Sequence, residues 1–216
     1  AVDMGGIVDH GSVRTFSVPG SLRTLASQIN DTGIVQGYYT TSGPGSPFLY
    51  TYDGSAVNTL VPPGATFTFP YGINNSGQMV GEYATAANTL VQFFYDGTSF
   101  HEINNPNGYF TEITGISNSG IVFGYYYGAN GYSDFFYKDG IFSDVSAPGA
   151  ITGMNDAGVI VGHQGYLVTS YVPGFIGTPT PEPRAEYLFC LGVAGLSFCL
   201  KVKARPTPTE RRNSVA

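Results

Sequence analysis

A nine-residue pattern occurs four times along the chain, and it constrains the fold more than any other feature. Each copy begins with an apolar residue, has Asn or Ser in second place, and has Gly at its fifth and ninth positions. The first of these glycines recur at spacings of 44, 43 and 38 residues. A period near 40 residues is typical of solenoids, propellers and other repeat arrays. The four copies are residues 29–37, 73–81, 116–124 and 154–162.

Each repeat is predicted to form four short strands. The Asn-x-x-Gly element lies between two apolar stretches, which is typical of a hairpin turn with glycine at positive φ. An aromatic run that ends in Asp-Gly predicts a second hairpin, and a proline turn follows it. Two hairpins per repeat make a four-stranded antiparallel sheet, which is the blade of a β-propeller. The Asp-Gly pairs are Asp53-Gly54, Asp96-Gly97 and Asp139-Gly140, and the proline turns contain Pro62, Pro106 and Pro148.

The fold predicted for residues 1–176 is therefore all-β, a small β-propeller of four four-stranded blades. Residues 5–20 contain an outer hairpin without an inner one, whereas residues 151–174 contain an inner hairpin and one further strand at 166–172. We therefore expect the N-terminal strand near residues 13–18 to complete the last blade and close the ring, which hides sheet edges. Five blades, a fragment of a larger ring, and a signal peptide or further repeats before Ala1 are alternatives that the sequence leaves open.

Charge is sparse and unevenly distributed. Charged residues make up 11 % of the chain, against roughly 25 % in an average soluble domain. The 16 Tyr and 15 Phe residues exclude a charge-rich disordered chain, and the 30 Gly and 14 Pro residues disfavour a mostly helical protein. Residues 1–177 carry three cations and 12 carboxylates, whereas 178–216 carry six cations and three carboxylates. The acidic body predicts no nucleic-acid binding, because that requires clustered Lys and Arg.

The repeat resembles the bacterial repeats called HAF repeats, a family assigned to extracellular proteins. The likeness rests on Ile-Asn-Asn-x-Gly-x-x-Val-Gly, on the aromatic block with Asp-Gly and on the following Pro-Gly, and it covers about residues 5–172. The His-Ala-Phe that gives the family its name is absent, and the corresponding places read Ser46-Pro47-Phe48, Val91-Gln92-Phe93 and Ser133-Asp134-Phe135. The resemblance implies an extracellular location and carries no catalytic residue over to this chain.

Residues 177–216 resemble a PEP-CTERM sorting tail. A proline-rich stretch, 177–186, precedes 14 residues without a charge, 187–200, which is short of the roughly 20 residues that a stable membrane helix needs. The resemblance implies processing by an exosortase-type enzyme and transient inner-membrane anchoring through a short hydrophobic helix at 187–200, with the following cations cytoplasmic. Cys190 and Cys199 then serve as small apolar residues of the anchor. The alternative is an apolar segment packed on the body. The residues of the sorting signal are Pro181, Glu182, Pro183, Lys201, Lys203 and Arg205.

No catalytic, metal or cofactor site is predicted. The body has no cysteine, its acidic turns lack the spacing of a calcium loop, and Asp and Asn in such turns typically cap the local backbone. His10, His101 and His163 lie in different sequence contexts, without a metal-binding His pair or a Gly-x-Ser-x-Gly elbow. Nothing in the sequence brings Glu82 and Glu102 within the roughly 5–10 Å that the carboxyl pair of a glycoside hydrolase requires.

The variable loops that follow the second strands form the predicted binding surface. They comprise residues 40–47, 84–91 and 128–134, and variable loops on a rigid scaffold commonly carry function. Tyrosine has a flat apolar face and a hydroxyl, which suits sugar rings. Packing of blade against blade is the alternative role for the same tyrosines. Strand alternation places Tyr38, Glu82, Tyr125 and His163 on one side of their sheets, and Tyr39, Tyr83, Tyr126 and Gln164 on the other.

These observations predict an exported, non-enzymatic protein of the cell surface or extracellular matrix, without cofactors, that binds exopolysaccharide through the variable-loop face. A cell-surface protein–protein interaction module is the alternative, and a large exposed apolar patch would favour it. A polysaccharide hydrolase is a third hypothesis, which two carboxylates facing each other in a central cleft would favour.

Overall fold

The computed structural model describes residues 3–43, 47–166 and 172–177. Over these ranges the chain is all-β and forms a four-bladed β-propeller, which confirms the predicted fold class. Each of the four repeats contributes one antiparallel sheet, in which the strands pair in the order of the sequence. In the described ranges no helix has the length and apolarity needed to cross a membrane.

The strands follow the two hairpins expected for each repeat. A hairpin of β1 (Gly5–Asp9) and β2 (Ser12–Phe16) precedes the first blade. Blade 1 has β3 (Arg23–Ile29), β4 (Val35–Thr40), β5 (Phe48–Tyr52) and β6 (Val57–Leu60). Blade 2 has β7 (Ala65–Ile73), β8 (Met79–Thr85), β9 (Leu90–Tyr95) and β10 (Phe100–Ile103). Blade 3 has β11 (Gly108–Ile116), β12 (Val122–Gly128), β13 (Gly131–Lys138) and β14 (Ile141–Val145). Blade 4 has β15 (Ile151–Met154), β16 (Ile160–His163) and β17 (Gly174–Gly177) within the described residues.

The second glycine of the nine-residue pattern lets the strands of a blade approach closely. A Cβ at Gly81 would collide with the carbonyl oxygen of Phe69 on the first strand. It would also lie 2.9 Å from the ring of Phe93, which sits opposite Gly81 on the third strand. The glycine is therefore required by the close carbonyl of the first strand, and the aromatic ring of the third strand covers the backbone that the missing side chain leaves open. The corresponding pairs in blades 1 and 4 are Gly37 with Tyr50 and Gly162 with Phe175.

The Asn of the pattern closes its own turn and joins it to the next blade. Asn30 accepts hydrogen bonds at Oδ1 from the backbone N–H groups of Thr32 and Ile34, at 3.1 and 2.9 Å. Its Nδ2 donates to the carbonyl of Asn74 in blade 2 at 2.9 Å, and Asn74 donates likewise to the carbonyl of Ser117 in blade 3 at 3.2 Å. The turns of three blades are thereby linked in a row, and the interpretation of these residues as backbone caps is confirmed.

The hydrophobic core lies between successive blades. Val80 of blade 2 packs with Ile113 and Val122 of blade 3, and each of the three is at most 2 % exposed. Between blades 3 and 4, Phe123 packs with Ile151 in a second cluster. Each blade is thus held by the faces of its neighbours, because a single sheet cannot bury its apolar residues alone.

The junctions of blades 2 and 3 and of blades 3 and 4 each satisfy one backbone N–H of the following blade. Asp134 of blade 3 accepts the N–H of Ile151 at 3.0 Å, and Gln92 of blade 2 does the same for the first strand of blade 3. At the junction of blades 1 and 2, the corresponding residues are Pro70, which has no N–H, and Leu49, which has no acceptor. Since a buried N–H without an acceptor is costly, the donor and the acceptor are present or absent together.

The strand that completes blade 4 differs from the prediction. The N-terminal β2 pairs with β1, and the place beside β16 is taken by β17, in which Phe175 lies opposite Gly162. The N-terminal hairpin lacks this aromatic residue. Four residues before its turn it has Gly6, whereas blade 3 has Phe135 at the same distance from its turn. It packs on blade 1 instead, with Phe16 stacked on a ring of β5 at 4.1 Å. The predicted closure of the ring by the N-terminal strand is therefore wrong.

The predictions for the C-terminal part fall mostly outside the described residues. Among the described residues, the strand that follows β16 is β17, which starts beyond the predicted strand at 166–172. It ends at Gly177, one residue past the predicted end of the propeller domain at 176. The sorting tail with its apolar helix and its cations lies outside the described residues from 178 onward.

Candidate functional site

The tyrosines predicted for the second side of the sheets are part of the core. The Tyr83 hydroxyl donates to Glu102 at 2.8 Å, and the Tyr126 hydroxyl donates to Asp144 at 3.1 Å. Burial, followed by the hydrogen bond with Glu102, raises the pKa of Tyr83 to about 12. Tyr39 packs against the core of blade 1. Packing within the fold is the role that the structure shows for these three tyrosines.

The residues predicted for the first side occupy equivalent, half-buried positions but have different neighbours. The ring of Tyr38 lies 5.2 Å from that of Phe69, edge to face. Glu82 accepts a hydrogen bond from Nε2 of Gln92 at 3.2 Å. Nδ1 of His163 lies 3.0 Å from a carbonyl two residues further along the chain. Of the four predicted residues, Tyr125 joins the largest group of aromatic side chains.

This group, the tyrosine cluster, consists of Tyr125, Tyr127, Tyr132 and Tyr166 at the junction of blades 3 and 4. The ring centroid of Tyr132 lies 5.9 Å from that of Tyr125 and 4.9 Å from that of Tyr127. It lies 4.8 Å from that of Tyr166, and these two rings are stacked at an angle of 13°. Tyr127 and Tyr132 are cross-strand partners, so both side chains project from the same face of the sheet.

A buried carboxylate holds the cluster in place. Asp134 is fully buried and accepts the hydroxyl of Tyr166 at 2.7 Å on one oxygen and the N–H of Ile151 at 3.0 Å on the other. Burial raises the pKa of Asp134 to about 6, although the two hydrogen bonds and the nearby His163 favour its ionised form. The Asp134 carboxylate thereby ties Tyr166, which follows the last inner hairpin, to blade 3.

A second polar group continues from the cluster to blade 2. Glu112 lies opposite Tyr125, and burial followed by the Glu112 charge raises the pKa of that tyrosine. Burial, a hydrogen bond with Glu82 and the charges of Glu82 and Glu112 raise the pKa of Tyr71. Two carboxylates therefore flank Tyr71. Glu102 projects from the other face of the blade 2 sheet than Glu82, so these two do not form an acid–base pair.

The outer part of the tyrosine cluster is exposed, and the fold does not require its aromatic residues. Tyr127 is 45 % exposed, as is Phe110, its partner on β11. In blade 2 the register positions of Tyr127 and Tyr132 are occupied by Ala84 and Leu90. Because blade 2 has the same four-stranded sheet with these residues, the sheet itself does not require aromatic side chains at the two positions.

Sequence reasoning identified Tyr125 and missed most of its neighbours. Tyr132 and Asp134 were assigned to a variable loop, whereas both lie on β13. A hairpin register drawn around the turn before Gly131 would have placed them opposite Tyr127 and Tyr125. Tyr166 follows the last inner hairpin and has no local signal. The residues that the structure adds are Tyr71, Glu112, Tyr127, Tyr132, Asp134 and Tyr166.

The N-terminal histidine has the turn role predicted for it. His10 has φ of 45° and precedes Gly11 in the hairpin turn, where blade 3 has Asp139 with φ of 51°. Its Nδ1 lies 2.5 Å from Asp9 on the exposed surface. The interpretation of His10 as a substitute for Asp in an Asp-Gly turn is therefore confirmed.

Comparison with known proteins identifies no family for the chain. No protein-family model matches it, and no curated protein matches it. Among solved structures, it is similar to a triple arginine-to-alanine mutant of AofleA from Arthrobotrys oligospora, with 11 % sequence identity and a TM-score of 0.38. The match covers 81 % of this chain and 64 % of that chain, so this chain spans less than two thirds of AofleA. A likeness at this level carries no argument about function.

Proposed function

We propose that this protein is a non-enzymatic protein of the cell surface or extracellular matrix that binds an exopolysaccharide through the tyrosine cluster. The observation that supports the proposal is the aromatic pair Tyr127 and Tyr132, in a blade position where the fold accepts Ala84 and Leu90. Tyr127 and Tyr132 lie at the ends of β12 and β13 that flank a variable loop, and positions that a rigid scaffold presents beside such loops are a common place of a binding site.

The chemistry of the cluster suits a sugar ring. The stacked pair Tyr132 and Tyr166 provides flat apolar surface, and Tyr127 adds an exposed ring beside it. Tyrosine hydroxyls donate and accept hydrogen bonds, and Glu112 adds an acceptor for sugar hydroxyls. Since Tyr166 is anchored through Asp134, the aromatic wall is preorganised and little conformational entropy is lost on binding.

The charge of the site favours a neutral sugar there. The carboxylates that raise the pKa of Tyr125 are those of Glu112 and Asp134, which lie beside the cluster. Residues 1–177 as a whole carry three cations and 12 carboxylates. A ligand without negative charge at this point avoids like-charge repulsion.

Export belongs to the same proposal. Its support is the sequence of the tail, in which Pro181-Glu182-Pro183, the uncharged residues 187–200 and the cations after them follow the order of a sorting signal. The intact mass of the protein recovered from the surface of the source cells tests this. A C-terminus near Pro183 supports processing by an exosortase-type enzyme, whereas a cell-surface protein that retains residues 184–216 contradicts it.

Binding of the full chain to polysaccharide extracted from the source cells tests the main proposal. We expect Tyr132→Ala to weaken binding by roughly tenfold or more, because stacking on an aromatic ring is lost. The matched control is Leu90→Ala, which truncates an apolar residue at the same register position of blade 2 and should leave binding unchanged. Equal binding by the Tyr132→Ala protein, with circular dichroism unchanged, contradicts the proposal.

A protein–protein interaction module is the second candidate. The observation in its favour is that Tyr109 is 79 % and Phe110 45 % exposed on β11, so that apolar surface extends beyond the tyrosine cluster. Crosslinking on intact cells distinguishes the two candidates. A single protein partner whose capture requires Phe110 and Tyr127, without polysaccharide binding, would establish the interaction module.

A further inference from the structure

A cavity of about 390 Å³ opens between blades 2 and 3, at the opposite end of β12 and β13 from the tyrosine cluster. Its volume is that of a small-molecule site. The apolar part of its lining is Phe94, Val122 and Tyr137. Flat aromatic surface and a concave shape are thus present at a second place, on the side of the Asn-x-x-Gly turns. The polar side chains of the lining are Gln78, Asp96, His101, Ser119, Lys138 and Asp139.

One of these side chains is held rigidly. Nε2 of His101 lies 2.7 Å from one carboxylate oxygen of Asp96, and the other oxygen accepts the N–H groups of Thr98 and Ser99 at 2.7 and 2.8 Å. The hydrogen bond with His101, followed by these backbone bonds, lowers the pKa of Asp96 to about 2. Asp96 is therefore an ionised carboxylate that orients the imidazole. Nδ1 of His101 is the ring nitrogen that this hydrogen bond does not use.

Lys138 brings a positive charge into an otherwise acidic body. Residues 1–177 contain three cations, and Lys138 is the one Lys among them. Arg23 is paired with Asp3 at 2.8 Å, whereas Lys138 forms no ion pair with any described residue. Asp139 also lines the cavity, and its carboxylate can accept hydrogen bonds from hydroxyl groups. The cavity thus presents one cation, the Asp139 carboxylate, an imidazole whose partner Asp96 is hydrogen-bonded on both oxygens, and aromatic surface.

The blades themselves show that this set of residues is not a requirement of the fold. Blade 1 has a threonine at the register position of Phe94 and an asparagine at that of His101. Blade 2 has a carboxylate where blade 3 has the ammonium group. The combination of the three therefore occurs at the junction of blades 2 and 3 and is absent from the junction of blades 1 and 2. The corresponding residues are Thr51 for Phe94, Asn58 for His101 and Asp96 for Lys138.

We propose that this cavity is a second sugar subsite, and that it binds a hexuronic acid residue with the carboxylate at Lys138, a sugar hydroxyl donating to Nδ1 of His101, and the ring over Phe94 and Tyr137. A carboxylate is favoured because hydrogen bonds from a charged donor are stronger than those between neutral groups. The inference deepens the proposed function and rests on it in taking the ligand as part of a polysaccharide. It assigns neutral sugar residues to the tyrosine cluster and an acidic residue to this cavity.

Titration of the full chain with free glucuronate, followed by amide NMR, tests the subsite. We expect shifts at cavity residues such as Gly120 and Gly140, and binding roughly tenfold or more tighter than that of glucose, since a hydrogen bond from a charged group is stronger than one between neutral groups. Glucose binding as tightly as glucuronate, or shifts confined to other parts of the chain, would overturn the proposal.

Variants taken from the other blades keep this test free of folding effects. Lys138→Asp and His101→Asn introduce the residues that blades 2 and 1 have at these positions, and each should weaken glucuronate binding by roughly tenfold or more. Arg14→Asp makes the same charge change at an exposed position of β2 and should have no effect. Glucuronate binding by Lys138→Asp equal to that of the Arg14→Asp protein would overturn the subsite.

The experiments distinguish a wrong assignment of the subsite from a wrong proposed function. Tyr132→Ala should leave glucuronate binding intact, because the cluster and the cavity lie at opposite ends of the strands. Glucuronate binding without any binding of polysaccharide supports the cavity and contradicts the proposed function. Polysaccharide binding that depends on Tyr132, without glucuronate binding, overturns the subsite alone.

Discussion

At the scale of single residues, Asp134 shows how one side chain can serve both the fold and the candidate site. Gln92 satisfies the same junction amide in blade 2 without a charge, so the amide alone does not require a carboxylate. What the carboxylate adds is the hydrogen bond from Tyr166, which fixes one wall of the tyrosine cluster. This arrangement lowers stability at neutral pH, because it buries an ionisable group whose pKa is raised to about 6.

The raised pKa predicts how stability depends on pH. Because the pKa of Asp134 is about 6 in the folded chain and near 3.8 in the unfolded one, its contribution is fully present below pH 4 and is lost as the pH rises through 6. The loss should amount to about 3 kcal/mol in the free energy of unfolding. Asp134→Asn should remove this dependence, which urea denaturation at a series of pH values measures.

The control for this experiment is Asp144→Asn, which removes an exposed carboxylate from the same blade. Its pH profile should retain the fall between pH 4 and pH 6. If the profile of the Asp134→Asn protein is as steep as that of the unchanged chain, Asp134 is not the group responsible.

At the scale of elements, β17 completes blade 4 because it supplies the aromatic residue that the N-terminal hairpin lacks. Phe175 is 4 % exposed and lies against Gly162, as Phe93 lies against Gly81 in blade 2. The pairing of one glycine with one aromatic ring thus selects which strand joins a blade. A local strand propensity alone does not make this choice.

Truncation of this ring tests the element directly. Phe175→Ala should lower the free energy of unfolding by about 3 kcal/mol, as expected for a large buried aromatic residue. Amide exchange should accelerate in β15 and β16 before it does in blade 1, because the loss is local. Ile176→Ala, at a neighbouring position of the same strand that is 49 % exposed, should change stability by less than about 1 kcal/mol. Equal effects of the two substitutions would show that Phe175 does not hold the strand.

At the scale of the whole molecule, the sequence predicts the blades well and the sites poorly. Four blades follow from the repeated glycines, because Gly81 and its equivalents are required by close backbone contacts that recur in each repeat. The strand that completes blade 4 could not be predicted, because β17 is not followed by the Asp-Gly signal. Tyr132 and Asp134 were missed because their roles depend on the register of β13 against β12.

In a repeat protein, the positions at which the repeats differ are the first place to look for function. Residues shared by the blades, such as Asn30 and Asn74, hold the scaffold together. Residues in which the blades differ, such as Tyr132 against Leu90, are free of that requirement. Both candidate sites lie where blade 3 departs from its neighbours, at the two ends of its strands.

The most direct test of the central claim is to map the binding of oligosaccharides, released from the exopolysaccharide of the source cells, onto the full chain by amide and aromatic NMR. We expect the largest shifts at the tyrosine cluster, with the rings of Tyr127 and Tyr132 changing together. Saturating binding whose shifts lie elsewhere on the propeller, or no shift at any residue at millimolar sugar, would contradict it.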